Sequence, residues 1–541
     1  EQNKFGNFRS IHPDQDSLNF QGKTAFYDLK TSELKIGGVP FVKSCDAFIH
    51  LGDGNIEVNP GGAIGQLSNC RIVADTITKY HVINRATVNL KGRKEYTASG
   101  FYEYNVGNKE QEIEFKDIVG TRVGKGKRSE KAAVTRAAGV VSENENFLID
   151  DAIVFQGKIS LSAEKKNLDF DGFAKLQSPV LPRASWFSMN CEADKKKLSI
   201  PFEDPKAPNG QPLGTGIYLS KETAKIYPSF LMPLYFRKDR PILLAMGDNK
   251  GYFKHDKVKD ELRLGDSTAV FDPAAKTTLL TLNNKTGKYT GTGKLNLGSG
   301  LQQMSASASG VVTGSVNENT GAPSLEGVEH DMDVTAMVGF DFEIPDKLLK
   351  VIITDLQSSS FDARPIDYSR ELPFYERALI DFVPNEKDLK AELIELKDYG
   401  MNLDAKYNPF EFLFSKLDLK WDAEYQSFYN EKNLLALTSI SAVPINRLLE
   451  GFIEIKMPTN GDDRMYIYLK SPSEDWYYFS YKGGILSTVS SSTRYNDILI
   501  GMKPKELSFK RKNGEFYEIQ PINPNSAQLF VNRIRAIKSG Q

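Results

Sequence analysis

Several features that usually announce a function are scarce in this chain. Three cysteines in 541 residues, Cys45, Cys70 and Cys191, cannot build a disulfide framework, and no two stand at the C-x-x-C spacing of a zinc or redox site. Cys45 and Cys70 have the option of pairing, but three separately buried thiols are the expectation. The five histidines, His12, His50, His81, His255 and His330, are scattered, without the H-E-x-x-H or H-x-H spacing that lets two imidazoles reach one metal. Long apolar runs are missing as well. The best stretch, Phe230 to Phe236, is interrupted by Pro233, far short of the roughly 18 apolar residues of a spanning helix. Excess charge of either sign is absent, since 69 Lys+Arg stand against 70 Asp+Glu. No global field therefore recruits nucleic acid or an anionic membrane, and no nucleic-acid partner or transmembrane helix is expected.

What is present describes a β-rich globular protein. Hydrophobic residues make up 40%, charged residues 26% and aromatic residues 11%, a balance that excludes wholesale disorder. At roughly 150 residues per domain the length allows three or four domains. Period-two alternation marks strands at Leu34–Ile36, Ala47–Leu51, Ala86–Leu90 and Lys158–Ser162, each with one apolar face. The phrase Phe20-Gln21-Gly22-Lys23 recurs unchanged as Phe155-Gln156-Gly157-Lys158, with looser copies at Phe170-Asp171-Gly172 and Tyr289-Thr290-Gly291, and a weaker one at Tyr96 to Tyr102. Recurrence with strand patterning on both sides predicts stacked, solenoid-like β-rungs or a folded-over sheet. In either, glycine would admit a bend that a Cβ would block.

The fold class expected is mainly β: such a body with an insertion, followed by a smaller α+β C-terminal region. Residues 1–184 form the first part of the repetitive body and 246–344 the second. Between them, 185–245 is rich in proline and reads as an insertion of loops and short edge strands. Residues 345–541 read as an α+β domain. There, Leu372, Tyr375, Leu379 and Ile380, and then Leu389, Leu393, Ile394 and Leu396, fall at helical spacing, with a start at Pro384-Asn385-Glu386 and a stop at Gly400. A hairpin joins Met465–Leu469 to the aromatic run Trp476-Tyr477-Tyr478-Phe479-Ser480-Tyr481 through a six-residue turn.

Catalytic signatures are missing. Gly120 to Arg128 imitates a phosphate-binding loop, but five residues rather than four separate Gly120 from Gly126, and Arg128 stands where the hydroxyl belongs. What remains is a basic loop, Arg122 to Lys131. Its Arg122, Lys125, Lys127 and Arg128 are candidate contacts for an acidic partner or lipid headgroup, though a solvated turn is the commoner meaning of such a loop. Trp476, Tyr477, Tyr478 and Phe479 are the second set of candidate contacts; burial of that strand between two layers is the competing reading, and the favoured one. His330-Asp331-x-Asp333 is the nearest approach to a metal cluster, and it reads as an exposed strand rim. No G-x-S-x-G elbow is present. The paired acids Asp169/Asp171 and Asp462/Asp463 fall at a repeat corner and a turn, but carboxylates for glycoside cleavage can lie far apart in sequence. No cofactor, no metal and no small-molecule substrate is expected.

The repetitive Tyr/Phe-x-Gly body, followed by Leu417-Asp418-Leu419-Lys420-Trp421, Asn446-Arg447, Gly451 to Ile455, the Trp476–Phe479 hairpin and Ser490-Ser491-Ser492, resembles the plug-protein family of the type IX secretion system. Those proteins close the periplasmic opening of a giant outer-membrane translocon. The rungs are also similar to periplasmic lipopolysaccharide-transport β-jellyroll proteins. The plug resemblance implies a non-enzymatic, periplasmic protein associated with the outer membrane, whose partner is a large β-barrel translocon. It supplies no short motif from which contact residues can be carried over. The start at Glu1 without an apolar leader reads as one end of a processed, exported protein. A β-solenoid polysaccharide-binding protein or lyase/hydrolase, and a periplasmic lipid carrier, are the alternatives.

Overall fold

The computed structural model describes every residue except 1–4, 123–132, 182–183, 195–196, 220–223, 225, 234–239, 247–249, 273, 275–276, 299, 317–331, 359–363, 512–513 and 540–541. The protein is mainly β, and its chain divides into two compact units. The first comprises residues 1–177, 186–201 and 206–210; the second comprises 178–185, 202–205 and 211–541. The division therefore falls near residues 178–211 and not at 345. The reason is a ladder that runs across the expected boundary: strand Asp333–Asp341 pairs with Phe412–Asp422, register Val334↔Leu419 and Phe340↔Phe412, so the helices between them are an excursion from one sheet.

The first unit is built on a 13-stranded sheet from Gly6–Arg9 to Trp186–Ala193 in which neighbours are mostly consecutive in sequence. Its ladders are antiparallel, as in Glu95–Glu103 against both His81–Gly92 and Glu112–Arg122. Solenoid rungs stack in parallel, so the repeated phrase encodes hairpins of a meander instead. The sheet folds back on itself. Asp46, in the turn before Ala47–His50, accepts hydrogen bonds from the Thr135 amide and hydroxyl at 3.0 and 2.5 Å, although four strands separate their two strands in the ladder. Tyr96 Oη lies 2.7 Å from the same Thr135 hydroxyl. Tyr104 packs its ring on Phe147 and Phe170 at 5.2 and 5.9 Å, and all three are buried.

The recurrent Phe/Tyr and Gly residues acquire a physical meaning here. Tyr96 faces Gly120 across the ladder, and a Cβ on Gly120 would sit 2.2 Å from the Tyr96 ring. Tyr289 faces Gly314 in the second unit, where a Cβ would lie 2.5 Å from the phenol oxygen. Gly157 pairs with Gly172 beneath the tip of the Phe155 ring. Each aromatic thus lies flat in the gap that a neighbouring glycine leaves, which buries a large ring without separating the strands.

The second unit carries nearly all of a 20-stranded sheet. Most of the proline-rich stretch is part of it, Trp186–Ala193 belonging to the first sheet: Leu213–Leu219 and Ile226–Pro233 pair antiparallel, with Ile217 opposite Pro228, and every residue of the first strand is buried. Burial of this apolar run outweighs the ladder donors that proline removes.

Among the described residues five α-helices occur, all in this unit: α1 Asp346–Gln357, α2 Leu372–Phe382, α3 Glu386–Tyr399, α4 Thr493–Gly501 and α5 Asn525–Ser539. α2 and α3 are the two expected from periodicity. Asn385 caps α3 by accepting from the Lys387 and Asp388 amides, and Gly400 ends it at φ +88°, where a Cβ would be strained. No helix among the described residues is long and apolar enough to cross a membrane.

Candidate docking surface

Of the proposed contacts, Lys125, Lys127 and Arg128 lie outside the described residues, as do His330 and Asp331. Arg122 ends the strand Glu112–Arg122, opposite Ala133. The aromatic strand is placed plainly: Tyr477, Tyr478 and Phe479 are buried and Trp476 is half-buried. Alternation sends Tyr477 and Phe479 to one face, where Tyr477 meets the Tyr495 ring of α4 at 5.5 Å and donates to Asp355 of α1 at 3.0 Å. On the same face Phe479 packs on Phe412 at 5.3 Å. Tyr478 points the other way, 5.5 Å from Phe530 of α5. With helices over both faces, Tyr477, Tyr478 and Phe479 are core residues and offer no surface to a partner, a correction to their candidacy as contacts. The reason is quantitative: each ring removes 150–250 Å² of surface from water when covered.

Three of the four paired acids have partners of their own. Asp169 and Asp171 share one face of the strand Leu168–Leu176, and Asp169 is held by Lys165 at 3.1 Å. Asp463 is fully buried and accepts from the Gly300 amide at 2.9 Å, while Asp462 accepts from Gln302 at 2.6 Å. Asp333 opens its strand opposite Lys420. No group of three or more potential metal ligands comes together among the described residues. All three cysteines are free thiols. Burial raises Cys45 to about 12, and Cys70 and Cys191 to about 11, which leaves them protonated and unreactive near neutrality.

An open surface lies where the sequence pattern drew no attention. Thr24–Asp28 and Glu33–Gly37 form a hairpin, register Phe26↔Lys35 and Asp28↔Glu33, and Glu33–Gly37 pairs on its far side with Ile56–Val58. The turn is set by Asp28, whose carboxylate accepts from the Lys30 amide at 2.8 Å, an arrangement that mimics a backbone turn. Thr24–Asp28 is therefore the outer strand of a three-stranded sheet. Its aromatics are uncovered on both faces: Phe26 is 65% and Tyr27 52% exposed, and Leu29 at the tip is 86% exposed. Lys35 and Glu57 pair at 3.0 Å across the sheet. A cavity of 560 Å³ opens beside them, lined by Thr24, Phe26, Asp53, Asn55 and Gln66 among others. The readable signal was the pair Phe26-Tyr27 ahead of an Asp-containing turn and an alternating strand.

Compared with protein-family models, with curated proteins and with solved structures, the chain matches none.

Proposed function

We propose that the protein is a non-enzymatic periplasmic component of an outer-membrane protein translocon, seated at the periplasmic opening of the channel to keep it sealed. One observation supports this reading most: the β-sheet of the first unit is locked onto itself by tethers between distant strands, Asp46 to Thr135 and Tyr104 to Phe170, and aromatic rings set over glycines stiffen both units. A seal works by shape, and close packing that resists deformation is what shape-based occlusion needs. Of the acids that stood as candidates for catalysis, Asp169 is paired with Lys165, and Asp462 and Asp463 are hydrogen-bonded to Gln302 and Gly300. The near-zero net charge fits a partner met through shape and apolar contact rather than through a long-range field. The test is permeability. Cells lacking the protein should admit large hydrophilic antibiotics that the intact outer membrane excludes, and unchanged exclusion would contradict the sealing role.

A further inference from the structure

We infer that the strand Thr24–Asp28 is a self-association edge, pairing antiparallel with the same strand of a second copy about a two-fold axis at Phe26. Three observations carry it. The strand is the outermost of its sheet, so its outward backbone donors and acceptors meet no strand among the described residues. Natural sheets blunt such edges with lysine, proline or a bulge inside the strand. Thr24-Ala25-Phe26-Tyr27-Asp28 has none of these, and its register against Glu33–Gly37 is unbroken. Its two aromatics are uncovered on both faces, where burial would be favourable.

The sequence of the strand selects the occupant. In a two-fold pair centred on Phe26, Phe26 faces the second copy's Phe26, Ala25 faces its Tyr27 and Thr24 faces its Asp28. An aromatic pair, a small-to-large pair and a hydroxyl-to-carboxylate pair result, each a favourable cross-strand combination. The flanks agree: Lys23 falls opposite Leu29 and Lys30 opposite Gly22, so no like charges meet. Moving the axis to Tyr27 puts Asp28 against Phe26 and Lys30 against Thr24, and the match is lost. A two-fold contact must be self-complementary, and this strand satisfies that condition in the Phe26 register.

A single short strand buries less than the roughly 1,200 Å² of a stable interface, so the dimer is weak and concentration-dependent. Sedimentation of the full chain from about 1 to 200 µM should show a monomer passing to a dimer. Phe26→Lys sets two ammonium groups face to face on an exposed position and should weaken dimerisation at least tenfold. Tyr399→Lys, at an 81% exposed site on α3, should leave the association unchanged. A chain that stays monomeric throughout overturns the inference, and is the result expected if the edge serves a different protein. So does a dimer that Phe26→Lys does not weaken. Neither outcome bears on the sealing role, which permeability tests separately.

Discussion

The packing of Tyr96 over Gly120 makes a double-substitution experiment decisive. Tyr96 is fully buried, and its hydroxyl meets Thr135. Tyr96→Ala should therefore cost about 3–5 kcal/mol for the lost ring, with about 1 kcal/mol more for the hydrogen bond. In Gly120→Ala the new Cβ falls 2.2 and 2.5 Å from two carbons of that ring, so the ring must leave its place, at about 1–3 kcal/mol. All three of the nearest atoms belong to Tyr96. With Tyr96→Ala already made, the Cβ enters vacated space. Gly120→Ala should then become neutral or stabilising by about 0.5–1 kcal/mol, because alanine loses less backbone freedom than glycine. A coupling of about 1–4 kcal/mol follows. The control is Gly172→Ala with Phe155→Ala, where the nearest obstacle is the backbone oxygen of Gln156 at 2.2 Å, so removal of the ring should give no rescue. Urea unfolding, read by hydrogen exchange in Glu95–Glu103 and Glu112–Arg122, measures both cycles. Additivity within about 0.5 kcal/mol at Tyr96/Gly120 would refute the ring-on-glycine account.

Three further outcomes follow from the same packing. Burial raises Glu411 from 4.5 to about 8, so the folded state keeps a proton that the unfolded chain loses. Stability should fall as pH rises from about 4.5 to about 8, by on the order of several kcal/mol. Glu411→Gln can still accept from the Ile344 amide, which Glu411 meets at 2.7 Å; it should reduce that slope, to which buried Glu454 and half-buried Asp46 also contribute, and stabilise the protein at pH 8.5, and denaturation midpoints at the two ends of the window test this. Phe530 on α5 is 3% exposed within a cluster holding Phe452, Tyr478 and Ile534. Phe530→Ala should cost about 3–5 kcal/mol and raise exchange in α5 before the strands beneath it; equal protection in both proteins would show that the helix is not anchored there. Cys70 is buried while Cys45 and Cys191 are half-buried, so the Cys70 thiol should react with a chromogenic disulfide reagent at least tenfold more slowly than in the urea-unfolded chain, and its rapid titration in the folded protein would contradict its burial.

The sequence made the β-rich class and many strands readable because one-sided burial writes a period of two into them. Ala47–His50 and Ile153–Ser162 stand where that pattern placed them. Helices α2 and α3 were legible from spacing, Asn385 and Gly400. α1 and α5 were not picked out, although Leu348, Leu349, Ile352 and Leu356, and Ala527, Phe530, Val531 and Ile534, are buried at helical spacing. Pro345 before α1 and Pro524 before α5 were the available start signals. The sense of strand pairing could not be read, since Phe-x-Gly is equally at home in parallel rungs and antiparallel hairpins. Proline misled at 185–245 because one-sequence reasoning charges the lost donor but cannot see the burial that offsets it. At the aromatic strand, adjacent rings at 476–479 announce that both faces need covering, yet whether helices or a partner cover them depends on how α1, α4 and α5 pack, α1 and α5 being distant in the chain. The exposed hairpin at Phe26 was missed for the opposite reason, as its alternation looks like that of any buried strand.

The proposed sealing role requires that the protein occupy a partner rather than transform a substrate. Native affinity purification from detergent-solubilised envelopes, with mass spectrometry of what is retained, tests it most directly. The sealing role predicts a large outer-membrane β-barrel protein in stoichiometric amount. Recovery of the protein without any membrane barrel, at a yield that shows the complex was not simply lost in extraction, would contradict it.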